Sequence, residues 1–251
     1  MEYRPLGLTG LQVSALGYGA SSLGGVFGSI DEAAGIASVR AALDLGINLI
    51  DVSPYYGLTV AENVLGRALR GVDRGSYLLA TKVGRYGDAE FDLSAQRVVA
   101  NAHQSMTRLG VDYLDVLQCH DIEFGNLDQI VDETLPALEG LREQGLVRFI
   151  GVTCFPVEAL VSVARHHRID TVMSCCNYTI QNRNLGPWLD DFAAEGIGVM
   201  NASPLGMGLL TNRGVPAWHP APAAVVAACT EAVALCSARG PTLRSSPSSS
   251  P

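Results

Sequence analysis

An Asp, a Tyr, a Lys and a His stand where three successive apolar runs end, and these residue types can together move a proton at a carbon that carries oxygen. The runs are residues 47–50, 77–81 and 114–119, and the polar residues are Asp51, Tyr56, Lys82 and His120. Short aliphatic runs closed by polar residues or glycine are typical of buried strands that pass into loops. If the strands are parallel, their carboxyl ends meet at one face, and the four side chains form one polar site.

The residue types predict the role of each side chain. A lysine beside Asp51 stays charged, and we expect its charge to favour the phenolate of Tyr56 and so to lower the pKa of that phenol. A tyrosine tuned in this way can give or take a proton. His120 could hydrogen-bond the same substrate oxygen and orient it.

Each residue also has a purely structural interpretation. Asp51 could be a loop or capping residue, Tyr56 a packing aromatic with Tyr55 as an equal rival, and His120 a buried structural histidine. Lys82 is harder to explain in that way, because lysine is rarely buried unpaired. The joint placement at three strand ends favours a site.

Other acidic residues offer a competing site. Asp121 and Glu123 follow His120 closely and leave open a hydrolase with paired carboxylates, although the aromatic residues expected in a substrate cleft are sparse there. Glu62, the fourth residue of a capping-box pattern that starts at Thr59, is interpreted as a helix cap.

Strand-like and helix-like patterns alternate along the whole chain, which is typical of parallel βαβ units. After an N-terminal hairpin the sequence predicts seven strands and about seven helices, with a second capping-box pattern at 29–32 and a kink or break at Pro136. The fold class is therefore α/β, a (β/α)8 barrel that lacks its last βα unit. The spacing of Gly17, Gly19 and Gly24 breaks the G-x-G-x-x-G fingerprint, so a Rossmann fold is the weaker interpretation.

The composition changes at the end of the chain. Residues 241–251 are rich in serine and proline, so we expect a barrel domain over 1–240 and a disordered tail over 241–251. A closed barrel needs an eighth strand between the seventh and the first, and without it two strand edges stay open.

The overall composition bounds the function. The 251 residues are 48% hydrophobic, with a mean hydropathy of +0.21, which is enough for a large core. The net charge of −8 argues against nucleic acid or an anionic membrane as a partner. No apolar run approaches the roughly 20 residues that span a bilayer, and the N-terminus lacks the apolar core of a signal peptide. A cytoplasmic protein is expected.

Six cysteines show no C-x-x-C pair and no zinc-type spacing. They are Cys119, Cys154, Cys175, Cys176, Cys229 and Cys236. We interpret them as reduced core or near-core residues in a reducing compartment, and no metal site is predicted.

These motifs together resemble the aldo-keto reductase family. The resemblance rests on the D-x-x-x-x-Y-G pattern from Asp51 to Gly57, Glu62 with Leu65-Gly66, Ala80-Thr81-Lys82, Leu117-Gln118 before His120, residues 145–152, and Ser203-Pro204-Leu205-Gly206. It covers residues 3 to about 240 and implies hydride transfer to or from a nicotinamide cofactor at the carboxyl face of a barrel. Carried over, Tyr56 is the acid/base, Lys82 and Asp51 tune it, and His120 orients the substrate oxygen.

The resemblance also implies a set of cofactor-binding positions. They are Gly19, Ala20, Asp51, Thr153, Cys154, Ser174, Ser203, Leu205, Gly206 and Gly208. Thr153 and Cys154 stand where the family usually has Ser-Asn, Ser174 where Gln is common, and Ala202 where a Tyr often stacks on the nicotinamide. The family's eighth strand and the helix that grips the adenosine phosphate have no counterpart in this sequence.

Within the family the motifs are most similar to enzymes that oxidise L-galactose, which implies NAD-dependent oxidation of an aldose at its anomeric carbon, to L-galactono-1,4-lactone in ascorbate biosynthesis. The expected partner is a small sugar, with neither nucleic acid nor membrane. Two alternatives stay open: an NADP-dependent aldehyde or ketone reductase with the same four residues, and a truncated, non-catalytic variant.

Overall fold

The computed structural model describes residues 1–239. The chain opens with an antiparallel hairpin of β1 (Tyr3–Pro5) and β2 (Gln12–Ser14), as predicted. Its side chains Leu6, Leu11 and Val13 pack against residues of the main sheet, including Leu49 and Met173. The predicted tail, 241–251, lies outside the described residues.

Seven parallel strands form the main sheet, in the order in which they occur along the chain. They are β3 (Tyr18–Gly19), β4 (Leu49–Asp51), β5 (Leu78–Val83), β6 (Leu114–His120), β7 (Val147–Cys154), β8 (Thr171–Cys175) and β9 (Gly198–Ala202). Within residues 1–239 no strand joins β9 to β3. The predicted fold class, an incomplete (β/α)8 barrel, is confirmed.

Helices connect consecutive strands and cover the outside of the sheet. They are α1 (Glu32–Asp44), α2 (Val60–Leu69), α3 (Ala95–Leu109), α4 (Leu127–Gln129), α5 (Leu135–Glu143), α6 (Val157–His166), α7 (Leu189–Ala194) and α8 (Ala223–Ala238). The helix α3 shows why such segments form. The Ser94 side chain accepts a hydrogen bond from the Arg97 amide at its start, and Gly110, in the left-handed conformation, ends it.

The capping predictions were correct about the helices but wrong about the caps. Asp31, rather than Ser29, caps α1, where its carboxylate accepts a hydrogen bond from the Ala34 amide at 2.8 Å. Thr59 precedes α2 with φ 76° and makes no side-chain cap. Glu62 is not a cap either, because its carboxylate is directed toward β5 and α3 instead.

The predicted kink or break at Pro136 takes the form of a change in hydrogen-bond pattern. A π-helical segment, Ile130–Thr134, lies between α4 and α5, and Pro136 is the second residue of α5. Thr134 and Leu135 keep right-handed helical φ and ψ angles, so the backbone stays helical across the junction.

The main core lies between the sheet and the surrounding helices. Leu65, Leu79, Leu117, Ile150 and Leu160, for example, are fully buried in it. Among residues 1–239 no helix is both long enough and apolar enough to cross a membrane.

Candidate active site

The strand registers bring three of the four predicted polar residues to one end of the barrel, and Tyr56 lies in the loop that follows β4. Asp51 pairs with Ala80 across β4 and β5, Lys82 pairs with Gln118 across β5 and β6, and His120 pairs with Thr153 on β7. Each residue lies at or near the carboxyl end of its strand. This is the face on which barrel enzymes place their chemistry.

Lys82 and Asp51 form a buried ion pair. The Lys82 Nζ atom lies 2.6 Å from Asp51 Oδ2 and donates to the Val52 carbonyl oxygen at 2.9 Å, while its side chain is only 1% exposed. Gln118 Nε2 donates to Asp51 Oδ1 at 3.3 Å. Burial acts to lower the pKa of Lys82, but Asp51 and Tyr56 act more strongly in the opposite direction and hold that pKa above its ordinary value. Lys82 is therefore a fixed positive charge at neutral pH.

Tyr56 lies against both Lys82 and His120. The Lys82 Nζ atom is 4.9 Å from the centroid of the Tyr56 ring, and the ring meets the His120 imidazole edge-on, with centroids 5.7 Å apart. Burial raises the pKa of Tyr56 to about 12, and the charge of Lys82 offsets only part of this increase. The Lys82 charge acts in the predicted direction, but desolvation of the phenolate outweighs it, so the pKa of Tyr56 lies above its ordinary value and not below it.

His120 is held as a neutral imidazole. Its Nδ1 atom lies 3.0 Å from Ser53 Oγ, which already accepts the Tyr55 amide proton at 3.2 Å. The Ser53 hydroxyl can donate its proton to Nδ1, and in that arrangement the ring proton is on Nε2. Burial, aided by the charges of Lys82 and Arg85, keeps the pKa of His120 well below its ordinary value. In this tautomer His120 Nε2 can donate a hydrogen bond to a substrate oxygen.

Three further residues, Ser53, Gln118 and Arg85, support the site but were assigned no role in it from the sequence. Ser53 orients His120, Gln118 holds Asp51, and Arg85 forms an ion pair with Asp121, whose Oδ2 atom lies 3.6 Å from His120 Nε2. Gln118 stands two residues before His120 on β6, so strand periodicity could have placed both on one face. Ser53 contacts His120, which is 67 positions further along the chain, and Arg85 contacts Asp121, which is 36 positions further along. No local sequence pattern marks either contact.

The carboxylates of the alternative hydrolase site are engaged in structural contacts. Asp121 is paired with Arg85, and Glu123 Oε1 accepts a hydrogen bond from the Phe155 amide at 3.0 Å. Tyr55, the rival of Tyr56, donates its hydroxyl proton to Asp88 at 3.0 Å, and the Arg85 guanidinium lies 3.7 Å above its ring. The geometry favours Tyr56 as the phenol of the site.

The predicted cofactor positions at the strand ends lie beside the four polar residues. Gly19 pairs with Asp51 across β3 and β4, and Cys154 pairs with Ser174 across β7 and β8. Ala20, Thr153, Cys154 and Ser174 are all buried. Ser174 accepts a hydrogen bond from Asn177 Nδ2 at 2.9 Å, and the Cys154 thiol is directed to the Pro156 carbonyl oxygen. Neither of these two side chains points freely toward a ligand.

The remaining predicted cofactor positions lie in the loop after β9. Ser203, Gly206 and Gly208 all have positive φ angles, and Leu205 is exposed. A Cβ atom at Gly208 would lie 2.5 Å from the Gly214 carbonyl oxygen, so the tight loop requires glycine there.

Two buried acceptors next to these positions fit a polar ligand. Asn201 Oδ1 on β9 and Gln118 Oε1 on β6 have no hydrogen-bond partner among the described residues. Unsatisfied buried acceptors of this kind are rare, and a ligand amide or hydroxyl would satisfy them. The residues present therefore fit the nicotinamide side of a dinucleotide.

The described residues hold no group of three or more His, Cys, Asp or Glu side chains arranged to bind a metal ion.

The chain is similar over most of its length to known dehydrogenases and reductases. It is 48% identical over 245 residues to L-galactose dehydrogenase from Arabidopsis thaliana, an alignment that covers 96% of this chain and 76% of that enzyme. It is 32% identical to D-threo-aldose 1-dehydrogenase from a Pseudomonas species, over 81% of this chain and 69% of that enzyme. The holo form of an aldo-keto reductase from Bacillus halodurans superposes with a TM-score of 0.75 at 30% identity, over 86% of this chain and 71% of that one.

The family comparison covers nearly the whole of the described barrel. The sequence model of the Aldo/keto reductase family matches residues 15–240, which contain all seven strands of the main sheet. On the fold, the site and these matches, the chain belongs to the aldo/keto reductase family.

Proposed function

We propose that this protein oxidises an aldose at its anomeric carbon with NAD as the hydride acceptor, and that L-galactose, converted to L-galactono-1,4-lactone, is its substrate. The observation that carries the proposal is the contact of Tyr56 with the buried Lys82–Asp51 pair on one side and with neutral His120 on the other. The likeness to L-galactose dehydrogenase supports the choice of sugar. The proposed compartment is the cytoplasm.

The four side chains divide the work of proton transfer. When bound, the nicotinamide supplies the acceptor for the hydride that leaves the anomeric carbon. The Tyr56 oxygen takes the proton of the anomeric hydroxyl, and the nearby Lys82 charge stabilises the phenolate that serves as base. Asp51 fixes the position of Lys82, while the His120 Nε2 proton binds the substrate oxygen and holds it toward Tyr56.

The protonated phenol of Tyr56 also suits a second candidate, reduction of an aldehyde or ketone with NADPH. Because this pKa is about 12, the protonated phenol dominates at neutral pH, and a phenol is ready to donate a proton to a carbonyl oxygen. The same four residues serve both directions. Comparing the two cofactors and the two substrate classes distinguishes the candidates.

The two adjacent tyrosines provide a matched test of the site. Tyr56→Phe should lower kcat for L-galactose oxidation by about 10²–10⁴-fold, because the variant keeps the ring but loses the proton acceptor. Tyr55→Phe removes a hydroxyl that donates to Asp88 among residues 1–239, and it should change kcat by no more than about twofold. Both variants are assayed with NAD and with NADP, and with aldehydes in the reverse direction.

The outcomes separate the site from the substrate. Equal losses in the two variants would contradict the role of Tyr56. The reductase would be favoured if the chain reduces aldehydes with NADPH but does not oxidise L-galactose with NAD, and if only Tyr56→Phe abolishes the aldehyde reduction. No turnover of either class by a folded chain would reject both candidates.

A further inference from the structure

Two adjacent cysteines at the end of β8 direct their thiols to the same place. The Sγ atoms of Cys175 and Cys176 are 3.7 Å apart. Successive side chains of a strand normally point to opposite faces. Cys176 lies just past the last residue of the strand and has φ 60°, a left-handed conformation that side chains other than glycine seldom adopt. This turn of the backbone brings the two sulfur atoms together.

Three hydrogen bonds hold the backbone of the pair. The Cys176 amide donates to the Ala202 carbonyl oxygen at 3.0 Å. Asn177 Nδ2 donates to the carbonyl oxygen of Cys175, and Asn182 Nδ2 donates to that of Cys176, both at 3.0 Å. The conformation that joins the thiols is therefore built into the fold.

Ser203 lies beside the pair. It follows Ala202, which pairs with Cys175 across β8 and β9 and whose carbonyl oxygen accepts the Cys176 amide proton. Ser203 itself has φ 53°. Cys175, Cys176 and Ser203 are all partly exposed, so the two sulfur atoms meet at a partly exposed point.

The separation of the sulfur atoms distinguishes a chelate from a disulfide. Consecutive Cα atoms are about 3.8 Å apart, which is less than the range of about 4.4–6.8 Å found for cysteines in disulfides. Closing a bond between these thiols would therefore strain the segment. Two thiolates bound to one tetrahedral Zn²⁺, at about 2.3 Å each, lie about 3.8 Å apart. The observed 3.7 Å is already that spacing.

We propose that Cys175 and Cys176 form a bidentate site for one soft divalent cation of the Zn²⁺ or Cd²⁺ type. The two thiols release their protons to solvent as their thiolates bind the ion, and water completes its coordination. No oxidant takes part. Since the described residues place no third His, Cys, Asp or Glu in this group, the site is open on one side and binds an exchangeable ion.

Cadmium is the probe, because its thiolate complexes absorb in the ultraviolet and can be titrated directly. The full chain, reduced and free of metal, is titrated with Cd²⁺ by absorbance and by calorimetry, without cofactor or sugar. We expect saturation at one ion per chain with a thiolate charge-transfer band. Cys175→Ser and Cys176→Ser should each weaken binding on the order of 10²-fold, because each leaves only one thiolate.

Controls separate the pair from other thiols and from loss of fold. Cys236→Ser removes a cysteine on α8, and this variant should keep the full affinity for Cd²⁺ and the charge-transfer band. Circular dichroism verifies that each variant is folded, and Mg²⁺, which prefers oxygen ligands, should give no band.

Three results would overturn the proposal: no saturable binding, a band that survives in a folded Cys175→Ser/Cys176→Ser variant, or single variants that retain the affinity of the unaltered chain. Because neither turnover nor NAD enters the measurement, its result is independent of the proposed oxidation.

Discussion

His120 has no ionisable partner that would stabilise a positive imidazolium strongly enough to offset its burial. Ser53 occupies Nδ1 through a neutral hydrogen bond, and the cations Lys82 and Arg85 oppose further positive charge. Asp121, 3.6 Å from Nε2, is itself paired with Arg85. The imidazole is therefore kept neutral in the fold, whereas it is free to take up a proton once the chain unfolds.

This difference predicts a pH-dependent stability. Because the pKa of His120 is depressed in the folded chain, its contribution to stability is complete above the ordinary value of 6.5 and is lost as the pH falls below it. Each pH unit below that value should cost the native chain up to about 1.4 kcal/mol from this residue. His120→Gln, which cannot titrate, should show a correspondingly smaller decrease in unfolding free energy between pH 7 and 5.

Urea unfolding at a series of pH values measures how the unfolding free energy of the unaltered chain and of His120→Gln depends on pH. His103→Gln, a change at an exposed position of α3, serves as the control. Parallel slopes for the unaltered chain and His120→Gln would show that His120 is protonated in the fold.

At the scale of residues, the sequence predicted which side chains meet but not the pKa values that result from their contacts. The ends of three apolar runs were enough to bring together Asp51, Tyr56, Lys82 and His120. The pKa of Tyr56 depends on how completely the ring is desolvated, and that depends on every element packed around it. The partners Ser53 and Arg85 likewise required the three-dimensional structure, because nothing in their neighbourhoods along the chain marks them.

At the scale of elements, one buried carboxylate ties α2 to its neighbours. Glu62 accepts a hydrogen bond from Thr81 Oγ1 on β5 at 2.7 Å and from Arg108 Nε on α3 at 2.6 Å, and its side chain is fully buried. Thr81 directly precedes Lys82. The contact therefore fixes two helices against the strand that carries the lysine of the site.

Breaking this contact should be costly. Glu62→Gln leaves the Arg108 guanidinium, which is 17% exposed, without its counter-charge, and removal of one partner of a buried pair costs about 3–5 kcal/mol. The matched control is Glu32→Gln, which breaks the exposed pair between α1 and Arg67 and should cost no more than about 1 kcal/mol. Chemical denaturation measures both, and equal losses would contradict a structural role for the buried pair.

The elements themselves were largely predictable, whereas their ends were not. Apolar periodicity placed the seven strands and the main helices, because each element must bury one face. The prediction of a cap at Thr59 was wrong because Glu62 contacts Thr81 and Arg108 instead of the start of the helix. The π-helical segment before Pro136 gives no pattern distinct from that of an ordinary helix.

At the scale of the whole molecule, the proposed chemistry lies within a continuous part of the sheet. Asp51, Lys82 and His120 come from β4, β5 and β6, which are neighbours in the sheet, and β7 flanks them. The proposed cofactor positions extend from β3 to the loop after β9, so they depend on both outer strands of the described sheet. Binding of the dinucleotide should therefore report on the integrity of the whole barrel.

This dependence predicts stabilisation by the cofactor. NAD at 100 times its dissociation constant should stabilise the chain by about 2.7 kcal/mol, which corresponds to an increase in Tm of about 5–10 °C for a chain of this size. Tyr56→Phe should show the same increase without turnover, because it retains the ring and its packing. Differential scanning calorimetry tests this. A Tm that does not respond to NAD at any concentration would contradict a dinucleotide site.

Gly24 and Gly57 touch backbone to backbone beside the tyrosine of the site. A Cβ atom at Gly24 would lie 2.4 Å from the Tyr56 carbonyl oxygen, and one at Gly57 would lie 2.3 Å from the Gly24 carbonyl oxygen. The turn after β3 therefore fixes the position of the segment that carries Tyr56. Over evolutionary time these two positions should behave as one unit: a side chain gained at either shifts the reactive phenol, so neither can drift unless the other loop is rebuilt with it.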